Sequence, residues 1–306
     1  MMRDALFGGI NAAVLTPMQS DFSPDLDRMA GHCRWLLGNG CNGLAILGTT
    51  GEANSIGIAE RVALMEGLVE RGVPAAKLLP GTGTTAITDT VLLTRTAERL
   101  GCRGVLVLPP FFYKNPSEDG LFAYFSEVIQ RTGGAPRVYL YNFPQQSAVP
   151  FSLGLIARLL KAYPGTIKGA KDVSGDFANS SAMVREFGRD GYEVYVGYDD
   201  GLHDILKAGG AGCITAAANV NSAVGARVYA GWDKPAGTEA QTVLTATRRA
   251  VTTVPLIPGL KALMARHTGD AAWHNTRPPH LPLSAEDQAR LFSVFDACGA
   301  VLAKAA

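Results

Sequence analysis

The sequence predicts an α/β fold, a (β/α)8 TIM barrel followed by a C-terminal helical appendage. Short β-branched runs alternate with longer amphipathic stretches over the first two thirds of the 306 residues. Eight such runs recur at intervals of about 20–35 residues, the spacing of strand–crossover–helix units. The runs are apolar on both faces, as in Gly104-Val105-Leu106-Val107-Leu108, which suits a parallel sheet covered by helices.

The predicted strands are 12–16, 43–47, 78–82, 104–108, 138–142, 166–172, 193–197 and 212–216. Between them, Ile58, Val62, Met65 and Val69 recur at helical spacing, with Glu60, Arg61 and Glu66 elsewhere on the wheel. Leu121, Phe125, Val128 and Ile129 do the same behind Ser117, a natural N-cap followed by Glu118 and Asp119. Leu155, Ile156, Leu159 and Leu160 form a third stripe, stopped by Tyr163-Pro164-Gly165. The strand rhythm ceases near Asn221, so the barrel is assigned to 1–220 and a helical region to 221–306. In that region Val243, Leu244, Ala250 and Val251, then 260–266 and 288–302, read as helices, and Arg277-Pro278-Pro279-His280-Leu281-Pro282 as a proline-stiffened connector. An open doubly wound sheet would place a Gly-x-Gly-x-x-Gly turn after its first strand, where this chain has Leu15-Thr16-Pro17-Met18. Gly81-Thr82-Gly83-Thr84-Thr85 lacks both the third glycine and a P-loop lysine.

Lys and Arg number 28 against 27 Asp and Glu, a net charge of +1. That balance carries no electrostatic footprint for nucleic acid or an anionic membrane. The expected partners are a small molecule and other copies of the chain. Asp4 and two glycines interrupt the apolar stretch a signal peptide needs. The five cysteines are scattered and none forms a C-x-x-C pair. Reduced, mostly buried thiols and a cytoplasmic setting are expected. None of the five histidines has metal-ligand spacing, and no Gly-x-Ser-x-Gly elbow occurs.

In a barrel enzyme the chemistry sits at the carboxyl ends of the strands. Those ends carry Thr16, Gly48-Thr49-Thr50-Gly51-Glu52, Thr82, Tyr141-Asn142, Lys171-Asp172, Tyr198-Asp199-Asp200 and Asn219. Lys168 and Lys171 are three apart, so on a strand they face opposite ways and one points into the barrel or its rim. An inward ammonium is costly to desolvate, which favours a free nucleophilic amine. Solvated lysines on a frayed strand are the plainer alternative. The two threonines in a glycine-relieved turn suit a carboxylate, though a helix-capping turn has the same composition. Tyr139 and Tyr141 share a face, and Tyr141 is nearer the strand end, where a phenol can move protons.

Gly48-Thr49-Thr50-Gly51-Glu52, Tyr141-Asn142-Phe143-Pro144 and Lys171-Asp172-Val173-Ser174-Gly175-Asp176 resemble, in order and separation, three signatures of the dihydrodipicolinate synthase / N-acetylneuraminate lyase family. Arg277-Pro278-Pro279-His280-Leu281 resembles its closing segment, so the likeness spans the chain. The resemblance implies a class I pyruvate lyase or aldolase without metal or cofactor, usually a homotetramer. It makes Lys171 the Schiff-base lysine, with Lys168 as the outward-facing rival. Tyr141 becomes the acid–base phenol, and Thr49 and Thr50 the carboxylate pocket. Tyr113, in Pro110-Phe111-Phe112-Tyr113-Lys114, becomes the residue that completes a neighbouring subunit's site.

Two departures bear on the substrate. Synthases of the family carry an arginine where this chain has Gln146, and a neutral amide cannot replace that bidentate fork. Gly197-Tyr198-Asp199-Asp200 resembles the sugar-binding turn of the neuraminate lyases, yet Val173 and Ala216 stand where those lyases place hydroxyls. The expectation is retro-aldol cleavage or dehydration of a 2-keto-3-deoxy sugar acid or related 4-hydroxy-2-oxo acid. Its expected catalytic residues are Lys171, Tyr141, Thr49 and Tyr113. Its expected substrate-binding residues are Thr49, Thr50, Gln146, Gly197, Asp199, Asp200 and Ile214. The alternatives are condensation of pyruvate with aspartate semialdehyde, a non-catalytic ligand-sensing barrel, and a sugar-binding protein.

Overall fold

A computed structural model describes residues 5–134, 136–300 and 302. Met1 to Asp4, part of the leader reading, lie outside the described residues. Among those described are seven strands, β1 (Gly9–Ala13), β2 (Gly43–Ala45), β3 (Gly104–Val107), β4 (Arg137–Asn142), β5 (Ile167–Asp172), β6 (Glu193–Val196) and β7 (Gly212–Thr215). All pair in parallel, in the order β2-β1-β7-β6-β5-β4-β3.

The eighth predicted strand, 78–82, closes the ring without forming a regular ladder. On one side Leu79 N and Gly81 N donate to Leu44 O and Ile46 O at 2.9 and 2.8 Å. On the other, Thr82 N reaches Leu106 O at 3.0 Å and Pro80 O accepts from Leu106 N at 2.8 Å. Pro80 has no N–H to contribute, which interrupts the pairing at its centre. The first strand starts at Gly9, three residues before the predicted 12–16. Gly9 takes φ +107°, open to glycine, and an added Cβ would lie 2.5 Å from Asn42 Nδ2. The strand ends early because Leu15 N turns to the side chain of Asn219 (3.1 Å).

Alternation sorts the strand residues into two cores. Phe7, Ala13, Ala45, Leu79, Leu106, Tyr139, Tyr141, Tyr195 and Ile214 fill the barrel interior. The opposite faces, including Ile10, Leu44, Val105, Leu140 and Val194, pack against the helices. Full burial of each such side chain stabilises the fold by about 1.5–3 kcal/mol.

The helices are α1 (Leu26–Gly38), α2 (Ile58–Glu70), α3 (Ile87–Arg99), α4 (Glu118–Arg131), α5 (Pro144–Ser147), α6 (Leu153–Ala162), α7 (Phe177–Phe187), α8 (Leu202–Lys207), α9 (Ala218–Ala230), α10 (Pro235–Val251), α11 (Leu256–Thr268) and α12 (Ala285–Asp296). Ser117 caps α4 as predicted, accepting from Gly120 N at 3.1 Å. Asp25, Ser152 and Asp176 cap α1, α6 and α7 in the same manner. The predicted boundary at 220/221 falls inside α9, where Asn221 has non-helical φ and ψ of −140° and 16°. The helix read at 288–302 is α12, ending at Asp296; Val301 lies outside the described residues. Residues of α11 and α12 form a second core with Leu15, Ala216, Ala217 and Val220, which brings α11 to the carboxyl end of the barrel. Among the described residues no helix is long and apolar enough to cross a membrane.

Candidate active site

Parallel register places Tyr141 of β4 beside Lys171 of β5. Both side chains are buried, and the ammonium lies 3.4 Å from the phenol oxygen and 4.4 Å from the ring centroid. The phenol in turn meets Thr49 Oγ1 at 3.3 Å. Among the described residues no carboxylate stands within ion-pair distance of Lys171 Nζ. The adjacent Asp172 faces away, accepting from Asn142 Nδ2 (2.9 Å), Ser174 N (3.0 Å), Asn179 Nδ2 (3.0 Å) and Ser180 Oγ (2.6 Å). Its charge secures the strand end. Lys168 is near the other end of β5, half-buried, bonded to Gly191 O (3.1 Å) and paired with Glu193 (3.4 Å).

The Gly48–Glu52 turn is held close to β1. Thr16 Oγ1 donates to Gly51 O at 2.8 Å, and a Cβ on Gly51 would sit 2.9 Å from Val14 O. Leu47 and Glu52 take positive φ, +55° and +56°, a conformation that non-glycine residues hold only when surrounding contacts impose it. The contacts at Glu52 are explicit. Its carboxylate accepts from Lys261 Nζ of α11 at 2.5 Å and from Arg277 N at 3.0 Å. Both side chains of the Glu52–Lys261 pair are fully buried, and burial pushes the Lys261 ammonium below its ordinary pKa. Arg277 reaches Glu60 through two bonds of 2.8 and 2.9 Å and Ser55 O at 2.6 Å. That guanidinium holds the Glu60 carboxyl below the usual carboxylate range. The Gly48–Glu52 turn is thereby tied to the C-terminal segments that roof it.

A cavity of about 410 Å³ opens above this triad. Of the predicted residues it brings together Lys171, Tyr141, Thr49, Thr50, Gln146 and Gly197. Gly197 is glycine for a reason of space, since a Cβ there would lie 2.2 Å from Val173 Cγ2. Four predicted residues are elsewhere. Asp199 is fully buried behind the wall, accepting from Thr215 Oγ1 at 2.7 Å, with its carboxyl pushed up by burial. Asp200 is exposed. Ile214 is fully buried in the barrel interior. Tyr113 is 78% exposed, its ring edge-on to Phe112 at 5.3 Å.

Sequence reasoning missed the contribution of the C-terminal region. Arg248 of α10, Pro255 to Pro258 around the start of α11, and His280 of the proline-rich connector all line the cavity. The proline-rich stretch was a visible signal for the last of these. Arg248 carries no local mark, because it sits among polar residues of an ordinary amphipathic helix.

An amine and a hydroxyl, each within 3.4 Å of the same phenol oxygen, make a set that can add to a carbonyl and pass protons in either direction. The family model "Dihydrodipicolinate synthetase family" matches residues 6–297. An uncharacterised DapA-like lyase of Chloroflexus aurantiacus is 35% identical over 291 residues, 94% of this chain and 96% of the relative. Dihydrodipicolinate synthase from Agrobacterium tumefaciens superposes with a TM-score of 0.86 at 31% identity, covering 95% of this chain and 99% of its own. A prophage protein of the dihydrodipicolinic acid synthase family from E. coli K12, solved with pyruvate, gives a TM-score of 0.89 at 27% identity, covering 97% and 100%. The chain belongs to the dihydrodipicolinate synthetase family of class I lyases and aldolases.

Proposed function

We propose that this protein is a Schiff-base lyase acting on a 2-keto-3-deoxy sugar acid or a related 4-hydroxy-2-oxo acid. The observation that carries the proposal is the contact of Lys171, Tyr141 and Thr49 at the floor of the cavity. The Lys171 amine adds to the 2-oxo carbon, and loss of water leaves an iminium. In retro-aldol cleavage the C4 hydroxyl surrenders its proton as the C3–C4 bond breaks. The electron pair of that bond passes to the iminium nitrogen, giving an enamine and an aldehyde. Protonation at C3 and hydrolysis then release pyruvate and regenerate the amine. In dehydration a C3 proton leaves first and hydroxide departs from C4. Tyr141 carries the proton in both cases, and Thr49 and Thr50 hold the C1 carboxylate.

Gln146 on the cavity wall supports a polyol tail over aspartate semialdehyde. The likeness to a dihydrodipicolinate synthase keeps condensation as the second reading. The exposure of Tyr113 supports its insertion into a neighbour's site within a homo-oligomer. The free cysteines, four of them buried, fit a cytoplasmic setting. Steady-state kcat/KM values separate the two reactions. Higher values on keto-deoxy acids than on pyruvate plus aspartate semialdehyde support the lyase, and the reverse order overturns it.

A further inference from the structure

The charges around the cavity do not balance locally. Glu52 is committed to Lys261 and the Arg277 N–H. Asp172 is committed to four donors on the far side of β5. Asp199 lies behind the wall; Arg248 is near enough for its charge to oppose the effect of burial there, but no hydrogen bond or ion pair joins them. Arg248 itself is half-buried and faces the same cavity as Lys171 and Gln146. Among the described residues its guanidinium has neither an ion-pair partner nor a hydrogen-bond acceptor. A guanidinium is always charged and presents five donors in a planar fork that matches a carboxylate. A ligand carboxylate that reached it would form a charge-assisted pair.

In the proposed reaction the C1 carboxylate is taken by the two threonines and the 2-oxo carbon by Lys171. Neither step uses Arg248. The remaining wall, with Gln146, Asn54 and Ser55, offers neutral donors and acceptors suited to hydroxyls. We propose that Arg248 is a specificity-determining residue that binds a second carboxylate at the far end of the substrate, so that the preferred substrate is a keto-deoxy sugar diacid and not a monoacid ending in a hydroxymethyl group. This rests on the Schiff-base reading above and narrows it to one substrate class.

The test compares kcat/KM on 2-keto-3-deoxyglucarate and 2-keto-3-deoxygluconate, which share a chain length and differ in the terminal group. A charge-assisted pair makes the diacid better by about 10- to 100-fold. Arg248→Gln brings the ratio to within about threefold of unity, chiefly by raising KM for the diacid, whereas Arg248→Lys keeps part of the preference. Wild-type protein is treated in parallel with pyruvate and borohydride. Covalent labelling with equal rates on the two acids overturns the role of Arg248 and leaves the Schiff-base reading standing. A diacid preference that survives in Arg248→Gln also overturns it. Absence of labelling overturns the Schiff-base reading, and the assignment of Arg248 falls with it.

Discussion

Tyr139 and Tyr141 are two residues apart on β4 and point into the same barrel, yet they meet opposite surroundings. Tyr139, at the amino-terminal end, is fully buried and donates to Glu193 Oε2 at 2.8 Å; Tyr195 donates to the same oxygen at 2.8 Å. Leu6 N and Phe7 N bond to Glu193 and Tyr195, and the Phe7 ring packs edge-on against Tyr139 at 5.9 Å. Burial and the Glu193 carboxylate raise the Tyr139 phenol far above its ordinary pKa. At the carboxyl-terminal end, the contacts of Tyr141 with Lys171 and Thr49 are long, 3.4 and 3.3 Å, and open onto the cavity. At one end the Tyr139, Tyr195 and Glu193 side chains satisfy one another; at the other an amine and a phenol face a cavity. The same residue type on the same strand face becomes structural or chemical according to what closes over it.

The largest effect expected from this contrast is on turnover. Tyr141→Phe lowers kcat by about 10²- to 10⁴-fold, the worth of a positioned acid–base group. Its thermal stability stays close to wild type, as differential scanning calorimetry would show. A kcat within a factor of a few of wild type would assign the proton transfer to another group.

Next in size is the ion pair that joins the Gly48–Glu52 turn to the roof. Lys261→Met leaves the Glu52 carboxylate buried and unpaired, costing about 3–5 kcal/mol in denaturant unfolding. Adding Glu52→Gln to that variant recovers part of the loss. If Lys261→Met alone matched wild-type stability, the buried pair would not be what secures the roof.

A smaller effect concerns pH. His32 of α1 is fully enclosed, with Nε2 2.8 Å from Asn219 Oδ1, and burial pushes its pKa down from 6.5 to about 4. The unfolded chain therefore takes up the proton first as pH falls. Stability contributed by the neutral ring is complete above pH 6.5 and is lost between 6.5 and about 4. The loss is on the order of 3 kcal/mol, read as the difference in acid sensitivity between wild type and His32→Gln. Equal sensitivity would contradict it.

The smallest effect belongs to the closed base. Tyr139→Phe removes one of two donors to Glu193 Oε2 and costs about 1 kcal/mol of stability while kcat changes little. A kcat loss comparable to that of Tyr141→Phe would erase the distinction between the two ends.

Much of this was legible in the chain. The alternation of strands places Lys171 and Tyr141 on the inner face, and three spaced motifs carry the family resemblance. The eighth strand was legible as an apolar run, but Pro80 prevents it from forming a continuous ladder. The start of β1 is hidden in the sequence because a glycine that looks like a break is a strand residue at positive φ. Asp199 escapes sequence reasoning for a different reason. Its position at a strand end is local information, whereas its burial depends on Thr215, on the next strand. Arg248 and Lys261, on α10 and α11, each lie more than 70 residues beyond β5 in sequence, and no local pattern announces such long-range contacts. Residues that depend on strand period were readable; those that depend on how the C-terminal helices cover the barrel were not.

The central claim is that Lys171 is the amine that bonds the 2-oxo carbon. Pyruvate plus borohydride, read by intact-protein mass spectrometry and peptide mapping, tests it most directly. The account predicts one covalent adduct on wild-type protein, located at Lys171, and none on Lys171→Ala. An adduct that persists in Lys171→Ala, or wild-type protein that takes up no label, would contradict it.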